Sequence, residues 1–255
     1  MILNKITASL FLGGIILSIP THLLAIETQS VLQKKTNEPY TSYLKESNMV
    51  NSIALLPPPP KENSAAFIAD QEAYKQASTL AHTPRWAVAQ SDADLSDHNI
   101  GKPFSNVLGV SISKENTPAT YHLMRNIMVD SGFLGTEKAK KYYKRIRPYV
   151  YYHAQTCSPQ DDNILKHNGS YPSGHTAIGW ATALVFAEMF PEKQDQILRR
   201  GYDFGQSRVI CGVHWQSDVD AGRIIGAAVV ARLHANKEFM QDFQKSKNEL
   251  LAKMK

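Results

Sequence analysis

Residues 217–234 read SDVDAGRIIGAAVVARLH and predict one of the helices that decide the fold. The small residues of this stretch are Ala221, Gly222, Gly226, Ala227, Ala228 and Ala231. Small side chains at this density allow helix backbones to approach each other closely. The stretch therefore predicts tight helix–helix packing.

Helical signals continue along the rest of the chain. Further helices are predicted over about 65–81, from Thr117-Pro118 with Thr117 as N-cap, over about 136–147, over about 173–190, and from near residue 192. Proline favours the first turn of a helix and ends one that precedes it, as Pro118 and Pro148 are expected to do. In the helix over 173–190 the inward positions are Ile178, Ala181, Leu184 and Val185. Few windows alternate as strands do, so the sequence predicts an all-α, single-domain helical bundle.

The N-terminus is typical of a secretory signal peptide. Lys5 is the only charged residue before Glu27, and residues 6–19 are largely apolar. A short apolar core followed by a small residue predicts a signal peptide at 1–25, cleaved after Ala25, with an uncleaved anchor as the alternative. No later segment reaches about eighteen consecutive apolar residues, so we expect a periplasmic protein without stable membrane insertion after cleavage.

The remaining chain divides into a leading segment and a domain. Residues 26 to about 51 are polar and weakly periodic, and four prolines follow at 57–60, which predicts an extended N-terminal segment with a proline strap over 26–60. The strap either lies on the domain surface or recruits a partner. The all-α domain is predicted over 61–255. The formal charge of +5 favours anionic partners, and phosphate esters, nucleic acid and membrane surfaces all qualify.

Cys157 and Cys211 are the two cysteines of the chain and predict one disulfide in an exported protein. Two buried free thiols are the alternative interpretation. A metal site on this pair is disfavoured, because no Cys-x-x-Cys motif or neighbouring histidine completes a ligand set.

Three segments concentrate polar residues that a helical core would not otherwise contain. They are KKYYKRIRP at 140–148, PSGH at 172–175 and SRVICGVHWQSD at 207–218. Phosphoryl transfer spreads negative charge over three oxygens, which positioned cations and donors stabilise. Lys140, Arg147 and Arg208 would supply the cations, with the first two on one face of the predicted helix. Ser173 and Gly174 would expose N–H groups at a helix N-terminus.

Two histidines complete the candidate reaction centre. Asp218 lies four residues after His214 and would hold one ring nitrogen, leaving the other free to attack phosphorus. His175 would protonate the leaving oxygen from the opposite side. Taken singly, these features also fit a solvated basic helix face, a capping histidine or a structural histidine–aspartate pair. Zinc binding by the same residues is disfavoured, because three nearby cations would repel the metal.

The order K-x6-R-P, then P-S-G-H, then S-R-x5-H-x3-D resembles the signature of the phosphatidic acid phosphatase type 2 and haloperoxidase superfamily. More narrowly, the stretches LPPPP, KENTP, YYKRIRP, GSYPSGHT, GWATAL, SRVICG and HWQSDVDAGR are similar to class A bacterial non-specific acid phosphatases. The bacterial periplasmic apyrase is a similar relative. The likeness runs from about Leu55 to the C-terminus.

The resemblance implies that His214 is the nucleophile, His175 the acid and Asp218 the orienting group. It implies that the phosphate is bound by Lys140, Arg147, Ser173, Gly174 and Arg208. It also implies no metal or other cofactor, phosphate transfer to alcohols as well as water, and a homo-oligomer. We expect phosphate monoesters or nucleotides as substrates and no nucleic acid as partner.

The leading hypothesis is a secreted acid phosphatase that forms a phosphohistidine. An apyrase that hydrolyses nucleoside tri- and diphosphates is the nearest alternative, because the motifs bind one phosphoryl group only. A vanadium haloperoxidase, an integral-membrane lipid phosphatase and a non-enzymatic binding module are disfavoured by chain length, by missing transmembrane helices and by the intact motif, respectively. An acidic pH optimum is expected, because His175 must be protonated while His214 is neutral.

Overall fold

A computed structural model of the protein describes residues 41–254, which form helices joined by turns and contain no β-strand. The prediction of an all-α fold is confirmed. The predicted signal peptide at 1–25 lies outside the described residues. No helix in the described range combines the length and the apolar character that a bilayer crossing requires.

The helices follow one another with short connections. In chain order they are α1 (Ser52–Leu55), α2 (Ala65–Ser78), α3 (Pro84–Ala93), α4 (Lys102–Leu108), α5 (Pro118–Ile127), α6 (Gly135–Tyr143), α7 (Pro148–Tyr151), α8 (Pro159–Leu165), α9 (Gly174–Met189), α10 (Gln194–Ile210), α11 (Gln216–Leu233) and α12 (Lys237–Lys253). A π-helix at Met128–Leu134 joins α5 to α6, and 3₁₀ turns occupy Glu46–Asn48 and Pro191–Lys193. The helix predicted from near residue 192 begins at Gln194, after the second of these turns.

Five predicted helices begin within about a residue of the expected position. Their observed starts are Ala65 in α2, Pro118 in α5, Gly135 in α6, Gly174 in α9 and Gln216 in α11. Side-chain caps fix two of these starts. Ser64 Oγ accepts the Phe67 N–H at 3.2 Å, and Ser173 Oγ accepts the Thr176 N–H at 3.3 Å.

Helix α9 lies within the core because nearly all of its faces are apolar, and it packs against both α10 and α11. Of its predicted core positions, Ile178, Ala181 and Val185 are buried, and Leu184 is partly buried against the same core. The backbones of α9 and α11 approach closely. A Cβ on Gly222 would lie 2.5 Å from the Ser173 carbonyl oxygen, so this crossing excludes any larger residue. Gly222 and Gly226 therefore have the predicted role, whereas Ala227 and Ala231 are exposed and take no part in this packing.

The C-terminal helix α12 packs against α5 and also caps it. The Glu249 carboxylate accepts the N–H groups of Ala119 and Thr120 at 3.1 and 2.9 Å. An acidic group is favourable there because the first N–H groups of a helix lack acceptors and carry a partial positive charge. Thr117 holds the predicted N-cap position of α5, but its side chain does not cap the helix, because it bonds to Ser113 in an upstream turn instead.

Helix α6 ends at Tyr143, so the prediction of one helix over 136–147 is wrong for its last turn. Lys144 adopts a left-handed conformation with φ 47°, which ends the helix. Arg147 precedes a proline and is extended, as the steric restriction on that position requires. Lys140 and Arg147 therefore do not share a helix face.

Part of the predicted extended segment 26–60 packs into the domain. Tyr43 and Leu44 are buried, and their N–H groups donate to the Asp130 carboxylate at 3.0 and 3.2 Å. Helix α1 follows. Prolines 57–60 form no helix and lie exposed or half-buried at the surface.

Cys157 and Cys211 form the predicted disulfide. The Cys157 N–H also donates to the Cys211 carbonyl oxygen at 3.1 Å. Cys211 directly follows the last residue of α10 and lies three residues before His214. The bond therefore anchors the turn that carries this histidine.

Candidate active site

His214 lies in the turn between α10 and α11, and Asp218 is the third residue of α11. His214 is not helical, yet its Nδ1 lies 3.3 Å from Asp218 Oδ2. The same carboxylate oxygen accepts the Trp215 N–H at 2.9 Å and a short hydrogen bond from the Ser170 hydroxyl. Ser170 Oγ also lies 3.3 Å from His214 Nδ1. The carboxylate is thus oriented toward the Nδ1 side of the ring.

The other nitrogen of the ring faces a buried arginine. Arg147 Nη1 lies 3.1 Å from His214 Nε2 and donates to the Val213 carbonyl at 3.0 Å. Arg147 Nε donates to the carbonyls of Leu165 and Asn168 at 2.8 and 3.1 Å. These carbonyls fix the guanidinium against the imidazole, with the residue only 3% exposed.

Two more basic side chains share this environment. Lys140 Nζ donates to the Gly169 carbonyl at 2.8 Å, and Arg147 Nη2 lies 3.5 Å from the same oxygen. Arg208 is 1% exposed, and its Nε and Nη1 have no hydrogen-bond partner within residues 41–254. Burial without such partners is costly, so these donors point to an anionic ligand.

The three buried basic side chains have lowered pKa values, because burial, with neighbouring positive charges at two of them, disfavours their charged forms. Burial lowers the pKa of Arg147 and of Arg208 to about 10, and the charge of Arg147 contributes to the lowering at Arg208. Burial also lowers the pKa of Lys140 well below its usual range, with Arg147 and Arg208 adding to the effect. A bound anion would relieve this repulsion.

His175 occupies the first turn of α9, and its Nε2 lies 3.1 Å from the Ala93 carbonyl oxygen. Because a carbonyl only accepts, Nε2 carries the hydrogen and Nδ1 is the remaining ring atom. Burial lowers the pKa of His175 well below its usual range, with contributions from Arg208, His214 and Arg147. Burial likewise lowers the pKa of His214, followed by Arg147, Lys140 and Arg208. The guanidiniums of Arg147 and Arg208 therefore lower the pKa of both imidazole rings.

Ser173 and Gly174 lie at the predicted helix start. Ser173 N–H donates to the Asp218 carbonyl at 2.9 Å, which joins the start of α9 to the start of α11. A Cβ on Gly174 would lie 2.7 Å from the carbonyl oxygen of Gly132 in the π-helix. Packing against the π-helix therefore requires glycine at this position. The predicted approach of the backbone to a ligand would be a second reason for it.

An aspartate that the sequence analysis did not assign holds the elements around His175. Asp92 is 2% exposed and accepts hydrogen bonds from Ser207 Oγ at 2.6 Å and, at short range, from Arg200 Nη2. Ser207 belongs to the Ser-Arg motif, and here it ties α10 to α3. The next residue of α3, Ala93, supplies the carbonyl that holds His175.

Arg145 and Asp70 are two further residues without an assigned role in the sequence. Arg145 Nη1 donates to Asp218 Oδ1 at 2.6 Å, and Arg145 Nη2 donates to Asp70 Oδ2 at 2.7 Å. Arg145 lies in the basic segment 140–148, but the sequence of that segment does not indicate which carboxylate the arginine contacts. Asp70 lies in α2, 148 residues before Asp218, and belongs to no motif that would predict a role in the site.

Sequence comparison finds relatives along most of the chain. A sequence family described as the PAP2 superfamily matches residues 122–239. A non-specific acid phosphatase of Providencia stuartii is 50% identical over 220 residues, covering 86% of this chain and 88% of that protein. One of Salmonella typhimurium is 48% identical and covers 79% of this chain and 80% of that protein. An acid phosphatase of Zymomonas mobilis is 35% identical, with 84% and 80% covered.

Structural comparison finds a more distant similarity. The crystal structure of a bacterial vanadium-dependent iodoperoxidase superposes with a TM-score of 0.49 and 16% identity, covering 78% of this chain and 60% of that chain. Similarity at this level supports no conclusion about function.

Proposed function

The chain belongs to the PAP2 superfamily, and from this premise we propose that it is an acid phosphatase that forms a phosphohistidine on His214. Relatives named non-specific acid phosphatase, at 47–50% identity, support hydrolysis of phosphate monoesters. The main support for this mechanism is the pair of contacts that the two nitrogens of the His214 ring make. Nδ1 faces the Asp218 carboxylate, and Nε2 faces a cluster of buried cations.

In the first step, Nε2 of neutral His214 attacks phosphorus and forms a P–N bond. The bond between phosphorus and the ester oxygen breaks, and this oxygen takes a proton from His175. The Asp218 carboxylate accepts a hydrogen bond from the Nδ1–H group and stabilises the positive charge that develops on the imidazole. The contact between His175 Nε2 and the Ala93 carbonyl leaves Nδ1 to donate this proton.

In the second step, water attacks the phosphohistidine. His175, now neutral, accepts a proton from the water as the new P–O bond forms and the P–N bond breaks. Inorganic phosphate leaves, and both histidines return to their initial protonation states. An alcohol in place of water would give a new phosphate ester, which is the phosphotransferase reaction.

The cations bind the phosphoryl oxygens and stabilise the charge of the transition state. Arg208 offers two buried nitrogens that lack partners within the described residues, and Lys140 and Arg147 lie beside the nucleophile. The N–H groups of the first turn of α9, after Ser173, add a further anion site. Preorganised donors of this kind act strongly in a buried environment.

We propose that no metal ion takes part. Within residues 41–254 no three histidine, cysteine, aspartate or glutamate side chains are arranged to hold one. The positive charge around both histidines also opposes the approach of a dication. A periplasmic location remains part of the proposal and is supported by the sequence pattern over 1–25 and by the disulfide. The homo-oligomer remains a prediction.

A substrate panel with a chelator tests the function. We expect the purified mature chain to hydrolyse an aryl phosphate and AMP at acidic pH, with rates unchanged after exhaustive treatment with EDTA. A rate with ATP or ADP far above the rates with both monoesters would favour an apyrase instead. Loss of activity with EDTA and recovery with added metal would overturn the proposed mechanism.

A further inference from the structure

Asp70 is a buried carboxylate that the mechanism above does not use. It belongs to α2 and is 2% exposed. Its Oδ1 accepts the N–H of Ser217 at 2.8 Å, and its Oδ2 accepts the Ser217 hydroxyl at 2.6 Å. Ser217 is the second residue of α11, so an anion from a distant helix binds the N-terminus of the helix that carries Asp218.

Arg145 connects this carboxylate to the one beside the nucleophile. Its Nη2 donates to Asp70 Oδ2 at 2.7 Å, and its Nη1 donates to Asp218 Oδ1 at 2.6 Å and to Ser217 Oγ at 2.7 Å. The side chain is 8% exposed, and its guanidinium lies 5.5 Å from the centre of the Trp215 ring. Arg145 is therefore held from several directions and has little freedom to move.

The two carboxylate oxygens of Asp218 therefore have different partners. Oδ1 is bound by Arg145, while Oδ2 faces the His214 ring and the Trp215 N–H. Without Asp70, the full positive charge of Arg145 would act on Asp218 alone. The carboxylate would then be less available to His214.

We propose that Asp70 and Arg145 are positioning residues that orient Asp218 and set the charge felt by His214. This inference rests on the proposed function, in which His214 is the nucleophile. The hydrogen bonds of Asp70 and Arg145 reach Ser217 and Asp218 and neither histidine, so the two residues act through Asp218. A series of polar contacts thus links the reaction centre to α2, from His214 through Asp218 and Arg145 to Asp70.

A purely structural role predicts a different outcome from a positioning role. The charged or titratable groups around His214 are Asp218, Arg147, Lys140, Arg208 and His175. Against that fixed background, removal of a negative charge at Asp70 lowers the pKa of His214, and removal of a positive charge at Arg145 raises it. A structural role alone would lower stability without moving this pKa in opposite directions.

The test compares Asp70→Asn, Arg145→Met and the double variant with the native chain. The acid limb of kcat/KM against pH reports the protonation of His214 in the free enzyme. We expect Asp70→Asn to move this limb to lower pH by about one unit and Arg145→Met to move it upward by a similar amount. The double variant removes both charges and should return the limb close to its native position.

The size of the rate effect gives a second readout. We expect Asp70→Asn to reduce kcat about tenfold with little change in KM, as expected for a residue that orients a reacting group through another side chain. Asp242→Asn is the matched control, because Asp242 is also a buried aspartate, but its contacts are with Tyr43, His122 and Lys245. This control should leave kcat and both pH limbs unchanged.

Failure of this proposal is separable from failure of the proposed function. If an aryl phosphate phosphorylates His214 in the His175→Ala variant, where hydrolysis of the intermediate lacks its base, and the acid limb of Asp70→Asn stays in place, the positioning role is wrong and the nucleophile stands. If no phosphoryl group is found on His214 in that variant, the proposed phosphohistidine mechanism itself is wrong. Should Arg145→Met not fold, Asp70→Asn and the double variant still decide the question.

Discussion

Arg208 holds a charged guanidinium in the interior with two nitrogens that have no hydrogen-bond partner within residues 41–254. The same residue is 1% exposed, and its pKa is lowered to about 10 chiefly by burial. Such an arrangement opposes folding unless a ligand compensates it. At the scale of single residues, this buried cation therefore lowers the stability of the free protein, as the proposed anion site requires.

Replacement of Arg208 by methionine should separate stability from binding. We expect Arg208→Met to raise the unfolding free energy of the free protein by about 1–3 kcal/mol, because unpaired buried donors are removed. Inorganic phosphate or orthovanadate at about 100 times its Kd should stabilise the native chain by about 2.7 kcal/mol and the variant by almost nothing.

Urea unfolding with and without the anion measures both effects. Arg199→Met is the matched control, since the Arg199 side chain is 74% exposed, and we expect it to keep the anion-induced stabilisation. Equal stabilisation by the anion in Arg208→Met and in the native chain would show that Arg208 does not bind it.

The two histidines predict an acidic window of activity. The lowered pKa of His214 keeps its nucleophilic neutral form down to a pH below that of an ordinary histidine. The lowered pKa of His175 means that the free enzyme loses the acid form before neutral pH. We therefore expect a bell-shaped profile of kcat/KM with both limbs below about pH 6.5. Constant activity into the alkaline range would contradict this pairing.

The residues that we propose to bind phosphate were predictable from the sequence, and the residues that hydrogen-bond behind them were not. Lys140, Arg147 and Arg208 stand in short motifs whose chemistry is readable from residue type and spacing. Asp70 and Arg145 are joined only by the packing of α2 against the start of α11. From sequence alone, a charged residue in a helix is predicted to face solvent, because its distant partner is not apparent.

At the scale of elements, two helix packings position the site. α9 and α11 approach so closely that Ser173 N–H reaches the Asp218 carbonyl, and the π-helix packs against Gly174. The helix positions were predictable from small residues and prolines. The early end of α6 was not, because Lys144 adopts a left-handed conformation without the glycine or asparagine that usually marks it.

Widening the crossing of α9 and α11 should damage the site. A Cβ on Gly222 would lie 2.5 Å from the Ser173 carbonyl oxygen and 2.9 Å from Thr176 Cβ. We expect Gly222→Ala to lower the unfolding free energy by about 1–3 kcal/mol and to reduce kcat, because the start of α9 must move.

Thermal unfolding and steady-state rates on the same preparations measure these losses. Ala227→Leu adds more volume on an exposed position of the same helix and should change stability by no more than about 0.5 kcal/mol. Native stability and rate in Gly222→Ala would show that the close crossing does not position the site.

At the scale of the whole molecule, one disulfide links segments that are 54 residues apart in sequence. The pairing followed from cysteine number and the expected export. The helical class followed from the spacing of apolar and small residues. The packing of Tyr43 and Leu44 onto Asp130 was not predictable, because the polar segment around them has no periodicity.

Removal of the disulfide should lower the stability of the whole domain. Closing a loop of this length stabilises a fold by about 4 kcal/mol in the chain-entropy model. We expect the double variant Cys157→Ser, Cys211→Ser to lose stability of that order in urea unfolding. It should also lose activity at lower denaturant concentration than the native chain, because Cys211 anchors the turn before His214. An unchanged unfolding midpoint would contradict this role.

Chemical trapping on His214 decides between covalent and direct hydrolysis. In the His175→Ala variant, an aryl phosphate still donates its phosphoryl group because its leaving oxygen needs no acid, while hydrolysis of the intermediate lacks its base. Quenching with alkaline detergent and mapping by mass spectrometry should find one phosphoryl group on the peptide that contains His214, and none when His214→Ala is added. A phosphoryl group on another residue, or full activity in His214→Ala alone, would contradict the phosphohistidine mechanism.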